Sequence, residues 1–113
     1  MYYLKAIMLD NCPYSINANN LIDIHKIRSK IINVNNENKH IYKTDTYDTF
    51  PQIYLEKNGK PGSLLLGGYN NLYDFIMNFK GKKYSEENVK EFMDKSKWSK
   101  KATLRLIQLI NLK

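Results

Sequence analysis

Tyr2-Tyr3-Leu4-Lys5-Ala6-Ile7-Met8-Leu9, then Asp10-Asn11, then Cys12-Pro13-Tyr14-Ser15: an apolar run of strand length, a break, and the only cysteine of the chain directly before a proline. Proline at the first helical position loses no hydrogen bond and arrives with a helical φ, so a helix is expected from Tyr14 onward with Cys12 at its mouth. At that point the backbone amides lack intrahelical partners and the macrodipole is positive, which stabilises a sulfur as thiolate. Cysteines so placed have pKa values lowered from about 8.5 to roughly 3.5–7.5. The alternative is a small buried hydrophobe, since free cysteine is among the most buried residue types. The strand, Cys-Pro, helix order favours the reactive reading because it supplies a cause for the shift.

Outward from this stretch, Ile16, Leu21, Ile24 and Ile27 are expected to form the apolar face of a helix running from Tyr14 to Ile27. Ile31-Ile32-Asn33-Val34 reads as a second strand, parallel to the first because the helix between them supplies the crossover. Residues 35–49 are polar, with one helical turn expected over 37–42. Gln52 to Glu56 and Ser63 to Leu66 are apolar runs joined by Lys57-Asn58-Gly59-Lys60-Pro61-Gly62, a string of turn residues that reads as a hairpin connection. Gly67-Gly68 permits close approach of backbone to a ligand, and Asn70 is a suitable N-cap for a helix through Phe79. A helix start preceded by glycines attracts an anionic group, although Gly-Gly before a helix is also simply a turn. The predicted order is thioredoxin-like: an α/β fold with a central four-stranded mixed sheet flanked by helices, and an extra C-terminal helical segment.

Composition sets the class. At 113 residues the chain supports one core of ordinary size, and 42% hydrophobic with 26% charged residues is the balance of a globular protein rather than a disordered one. No run approaches the roughly 18 apolar residues of a membrane span. Met1 to Leu9 is interrupted by Lys5 and lacks the charged start and small-residue site of a cleavable signal, so a cytoplasmic protein is expected, without membrane attachment. One cysteine excludes an intramolecular disulfide and suits a reducing compartment. His25 and His40 lack the cysteine or carboxylate spacing of a metal site, so no metal ligands are assigned.

Three blocks in the same order carry a family resemblance. Cys12-Pro13-Tyr14-Ser15 resembles the glutaredoxin motif Cys-Pro-Tyr-Cys with serine in place of the second cysteine. Thr49-Phe50-Pro51-Gln52-Ile53-Tyr54 is similar to that family's Thr-Val-Pro-Gln-Ile-Phe, and Gly67-Gly68-Tyr69-Asn70-Asn71-Leu72 to its Gly-Gly-Tyr-Asp-Asp-Leu. The resemblance covers residues 2–79, taken as a glutaredoxin-like domain, and implies a cis Phe50-Pro51 bond, X-Pro being the only linkage with an appreciable cis population. It further implies glutathione as ligand, with the Phe50 backbone pairing with its cysteinyl backbone. Tyr14, Pro51, Gly68, Tyr69, Asn70 and Asn71 would shape the rest of the site, and Cys12 would be the nucleophile. With no neighbouring cysteine the implied chemistry is monothiol deglutathionylation, in which a second glutathione resolves the Cys12 mixed disulfide. Ser15 is expected either to offer its hydroxyl to the thiolate or to cap the helix.

Two departures from the pattern weaken the implied site. Asn70 and Asn71 stand where the family has aspartates, one of which receives the ligand's ammonium, and a charge-assisted hydrogen bond is about twice as strong as a neutral one. Leu9 stands where the family has Lys or Arg, and Asp10 adds a charge of the wrong sign for a thiolate; Lys39 or Lys43 could substitute. Glutathione-ligated iron–sulfur cluster binding is the alternative within the fold, four thiolates being the usual requirement. The family members of that kind have Cys-Gly-Phe-Ser and an insertion before it, and this chain has neither.

Residues 80–113 have no counterpart in the resemblance. They carry ten Lys/Arg against four Asp/Glu, most of the formal net charge of +7. Ser85-Glu86-Glu87-Asn88 predicts a helix start, with Val89, Phe92 and Met93 as its apolar stripe. Leu104, Leu106, Ile107, Leu109 and Ile110 predict a second helix with a broad apolar face, and Lys100, Lys101 and Arg105 lie near its start. Such a tail could serve a non-catalytic adaptor that binds an acidic protein, a nucleic-acid backbone or a membrane surface. The preferred reading packs both helices on the same domain, with Trp98 at their junction, because so broad an apolar face belongs to a core. A monomer with glutathione and glutathionylated proteins or small disulfides as partners, and no nucleic acid, is expected.

Overall fold

The computed structural model describes residues 1–45 and 47–112; Thr46 of the polar segment and Lys113 of the basic tail lie outside them. Four strands, β1 (Tyr2–Leu9), β2 (Ser29–Val34), β3 (Gln52–Lys57) and β4 (Leu64–Gly67), form one sheet in the order β2-β1-β3-β4. β2 runs parallel to β1, and β3 and β4 follow antiparallel. Four helices flank the sheet: α1 (Pro13–Ile24), α2 (Tyr69–Phe79), α3 (Glu86–Ser96) and α4 (Lys100–Ile110). The architecture is α/β and thioredoxin-like in order, with the C-terminal helical segment that the sequence predicts.

Alternation along the strands divides the sheet into two unlike faces. Leu4 and Ala6 of β1 stand opposite Leu55 and Ile53 of β3, and with Met8 these residues join one apolar cluster. All four helices feed that cluster, through Ala18, Leu21 and Ile22 of α1, Leu72, Phe75, Ile76 and Phe79 of α2, Val89 of α3, and Leu106, Ile107, Leu109 and Ile110 of α4. The other face carries a polar network. The Tyr3 hydroxyl donates to Glu56 at 2.8 Å, Lys5 Nζ lies 3.4 Å from Glu56, and the Tyr54 hydroxyl donates to Gln52 Oε1 at 3.1 Å. Gln52, fully buried, donates in turn from Nε2 to the Tyr42 carbonyl at 2.9 Å, so this face meets the 3₁₀ turn at Lys39–Tyr42.

Both phenols of the network titrate above the usual tyrosine value of 10.0: Tyr3 chiefly because its hydrogen bond to Glu56 holds the proton, Tyr54 chiefly because burial opposes its anion. A folded-state pKa raised above the unfolded one contributes stability that is present below the unfolded value and is lost as pH rises through the folded value. The urea midpoint should therefore hold steady up to about pH 9 and fall above it more steeply in the native chain than in the Tyr3→Phe/Tyr54→Phe variant. Parallel alkaline slopes in the two proteins would rule the network out as the cause.

Helix α1 departs from its predicted face. It ends at Ile24, not Ile27, and Ile16 and Ile24 are exposed, at 52% and 72%, while Ala18, Leu21 and Ile22 carry the contact. Ile27 is buried, but it follows the helix after Lys26, whose left-handed φ of 51° turns the chain into β2. In the tail, Ser85 caps α3 by accepting from the Asn88 amide, and Ser99 caps α4 by accepting from Ala102. Trp98, between these two helices, is buried edge-on to Phe92 and donates from Nε1 to the Leu65 carbonyl at 3.0 Å. Asn111 stitches the end of α4 to the end of α2: Nδ2 donates to the Phe79 and Ile107 carbonyls at 3.2 and 2.8 Å, and Oδ1 accepts from the Gly81 amide at 2.7 Å. No helix among the described residues is long and apolar enough to cross a membrane.

Candidate functional site

The chain leaves β1 through a turn that presents the sulfur. Asn11 adopts a left-handed φ of 61°, which Asn tolerates, and the Cys12 amide donates back to the Leu9 carbonyl at 3.2 Å. Cys12 is then the N-cap of α1 with extended backbone (φ −88°, ψ 120°), its own carbonyl accepts from Ile16, and Pro13 takes the first helical position. The Cys12 side chain caps no amide and is partly exposed. Its sulfur lies 4.0 Å from the Phe50 carbonyl, which brings Phe50 and the cis Phe50-Pro51 bond to the mouth of α1.

Ser15 takes neither of its expected roles. It is 2% exposed, and its Oγ accepts from the Leu9 amide at 3.0 Å, so the hydroxyl caps the last residue of β1 rather than reaching the sulfur or an α1 amide. The cause is helical geometry. Three residues after the N-cap, the side chain of position 15 falls on the inward side of the first turn, beneath the strand it follows. Ser15→Ala would leave the Leu9 amide without its acceptor. A loss of about 1–3 kcal/mol is expected, read as a lower urea midpoint with unchanged denaturant slope. A midpoint equal to that of the native chain would show that water replaces the hydroxyl.

The glycine pair closes the other side. Helix α2 starts two residues before the expected place, with Gly68 as N-cap instead of Asn70, because Asn71 at the third helical position accepts the Gly68 amide on its Oδ1 at 3.0 Å. Gly67 has φ +134°, and a Cβ on it would fall 2.3 Å from Asn71 Oδ1, so both the backbone conformation and the Asn71 side chain demand glycine there. A Cβ on Gly68 would stand 2.7 Å from the Tyr47 hydroxyl and 3.5 Å from the Pro51 carbonyl. Gly68, Pro51 and Tyr47 are thus packed together. Pro51 itself is buried, Phe50 and Tyr69 are partly exposed, and Tyr14, Asn70 and Asn71 are exposed.

The structure accordingly joins Cys12 to Phe50-Pro51, and Pro51 to Gly68, whose amide Asn71 accepts. Tyr14 faces solvent at 58% exposure on the first turn of α1. Lys39 opens the 3₁₀ turn, and Lys43 follows it, exposed. Sequence reasoning missed Tyr47. It lies in the polar segment, where no periodicity points to it, and only the fold brings its hydroxyl over Gly68. A groove of about 460 Å³ continues from Tyr47, Gly67 and Asn71 between α2 and α3, past Asp74, Glu91 and Phe92; Cys12 does not line it. No cluster of three or more His, Cys, Asp or Glu suited to a metal ion occurs among the described residues.

For a ligand that carries an extended backbone, this arrangement offers a sulfur at a helix mouth, a carbonyl edge at Phe50, and a helix start at Tyr69 and Asn70. The Gly68 amide is already engaged by Asn71, so an anionic group would be met by the amides that follow it in the first turn of α2. No protein-family model matches the chain, and no curated protein matches it either.

Proposed function

We propose that the protein is a monothiol, glutathione-dependent thiol–disulfide oxidoreductase with Cys12 as nucleophile. The observation that carries this reading is the approach of Cys12 Sγ to the carbonyl that precedes the cis Phe50-Pro51 bond, at the N-terminus of α1. A sulfur there is partly open to solvent and adjacent to backbone able to align a peptide-like disulfide. Two of the three sequence blocks similar to glutaredoxins contribute those residues, and the third contributes Gly68, which packs beside Pro51.

In the proposed reaction the Cys12 thiolate attacks the glutathione sulfur of a mixed disulfide. A Cys12–glutathione S–S bond forms, the original S–S bond breaks, and its electron pair leaves on the substrate sulfur, which takes up a proton. A second glutathione thiolate then attacks the glutathione sulfur held on Cys12, which releases glutathione disulfide and the Cys12 thiolate. Ser15, turned under β1, takes no part in resolution. Tyr14, Phe50, Pro51, Gly68, Tyr69, Asn70 and Asn71 supply the ligand surface in this reading, with Tyr47 added as the residue that backs Gly68.

The test is steady-state reduction of a small glutathione mixed disulfide in the presence of glutathione, with mass spectrometry of the quenched enzyme. Turnover accompanied by one glutathione on Cys12 supports the proposal. Absence of both turnover and adduct overturns it, and a coloured, dimeric protein after anaerobic reconstitution with iron and sulfide would point instead to cluster binding.

A further inference from the structure

The end of the sheet remote from Cys12 gathers cations from separate segments. Lys57, the last residue of β3, places Nζ 5.6 Å from the centre of the Tyr2 ring, and Arg105 of α4 places its guanidinium carbon 5.8 Å from the same ring. Beside them lies a pocket of about 330 Å³ whose lining includes Tyr2, Lys57, Ser63, Ser99 and Lys101 and contains no carboxylate. Among the described residues the ion pairs are Lys5 with Glu56 and Lys100 with Glu86. Among the described residues, no carboxylate lies within ion-pair distance of Lys57, Lys101 or Arg105.

One cation on an aromatic face is favourable, but a second cation at the same ring meets the first as a like charge. Lys101, one helical turn before Arg105, adds a third. A ligand with several closely spaced anionic oxygens would relieve this repulsion: guanidinium offers a planar fork of donors, ammonium a compact charge, and Ser63 a hydroxyl. The pocket volume suits a small group rather than a peptide segment. We propose that this pocket binds a phosphate-bearing ligand through Lys57 and Lys101 of its lining, with Arg105, which shares the Tyr2 ring with Lys57 and also donates to Gln108 Oε1 at 3.2 Å, as the third cation. The strand that separates it from Cys12 is eight residues long, about 25 Å at the usual rise, so the site stands apart from the proposed redox site and does not depend on it.

The phosphate could belong to a free phosphorylated molecule or to a nucleic-acid strand, and the test separates the two. The full chain, labelled with ¹⁵N, is titrated with inorganic pyrophosphate and in a second series with a single-stranded oligonucleotide, at about 0.15 M salt where non-specific attraction is screened. Saturable shifts of amides in residues 57–63 and 99–105 are expected. Lys57→Gln/Lys101→Gln/Arg105→Gln, all at exposed positions, should weaken binding by about tenfold or more, whereas Lys82→Gln/Lys83→Gln/Lys90→Gln, which removes the same charge from other exposed positions, should weaken it less than about threefold. Saturation by pyrophosphate assigns the site to free phosphorylated molecules; saturation by the oligonucleotide alone, at the same amides, assigns it to a strand. Equal weakening in the two variants, shifts centred elsewhere, or no saturation with either probe would overturn the proposal.

Discussion

If the proposed reaction is the protein's activity, replacing Cys12 with serine is expected to reduce glutathione-dependent turnover to background, a loss on the order of 10³-fold or more, because covalent capture of glutathione would have no second thiol to fall back on. The substitution replaces one partly exposed thiol that lies 4.0 Å from the Phe50 carbonyl, so stability should change by less than about 0.5 kcal/mol. That separation gives the experiment its force. An inactive variant with the native urea midpoint locates the chemistry at the sulfur, whereas a variant that keeps its turnover removes Cys12 from the mechanism altogether.

Trp98→Ala should have the largest effect on stability. The indole is buried between α3 and α4, lies 5.7 Å centre to centre and edge-on to Phe92, and satisfies the Leu65 carbonyl of the edge strand β4. Truncation leaves a cavity and removes the donor, at a cost of about 3–5 kcal/mol, or a fall of roughly 10–20 °C in Tm for a chain of this size. Trp98→Phe keeps the ring and loses the hydrogen bond, so about 1–2 kcal/mol is expected. Calorimetry or circular dichroism measures both. A Trp98→Ala loss below about 1 kcal/mol would mean that the junction of the last two helices does not belong to the common core.

Much of this arrangement is legible in the chain itself. The strand bounds of β1, the hairpin, the Cys-Pro helix start and the acid-rich opening of α3 all follow from local chemistry that tertiary contacts do not override. The polar turn residues Lys57-Asn58-Gly59-Lys60-Pro61-Gly62 indeed connect β3 to β4. The apolar face of α1 was harder. Ile16 and Ile24 look like core residues by type, yet the burial of Ala18 and Ser15 selects another side of the helix, and a small residue that permits close packing leaves little trace in a hydrophobicity pattern. The start of α2 was missed because the cap is made by a side chain three residues downstream, so the signal is Asn71 rather than Asn70. The polar face of the sheet is written in the alternation of Gln52, Tyr54 and Glu56 opposite Ile7, Lys5 and Tyr3, which an eye fixed on apolar runs passes over. Tyr47 depends on contacts between segments distant in sequence, and no local pattern announces it.

Asn111 holds backbone groups on both sides of the junction after α2 and another within α4, so the last helix cannot lift away without also releasing the end of α2. Opening at the C-terminus is therefore coupled to the end of α2, and protection of the β1 amides up to global unfolding is the expected result of a hydrogen-exchange measurement. The C-terminal helices share the core of the sheet and are structural members rather than a detachable appendage.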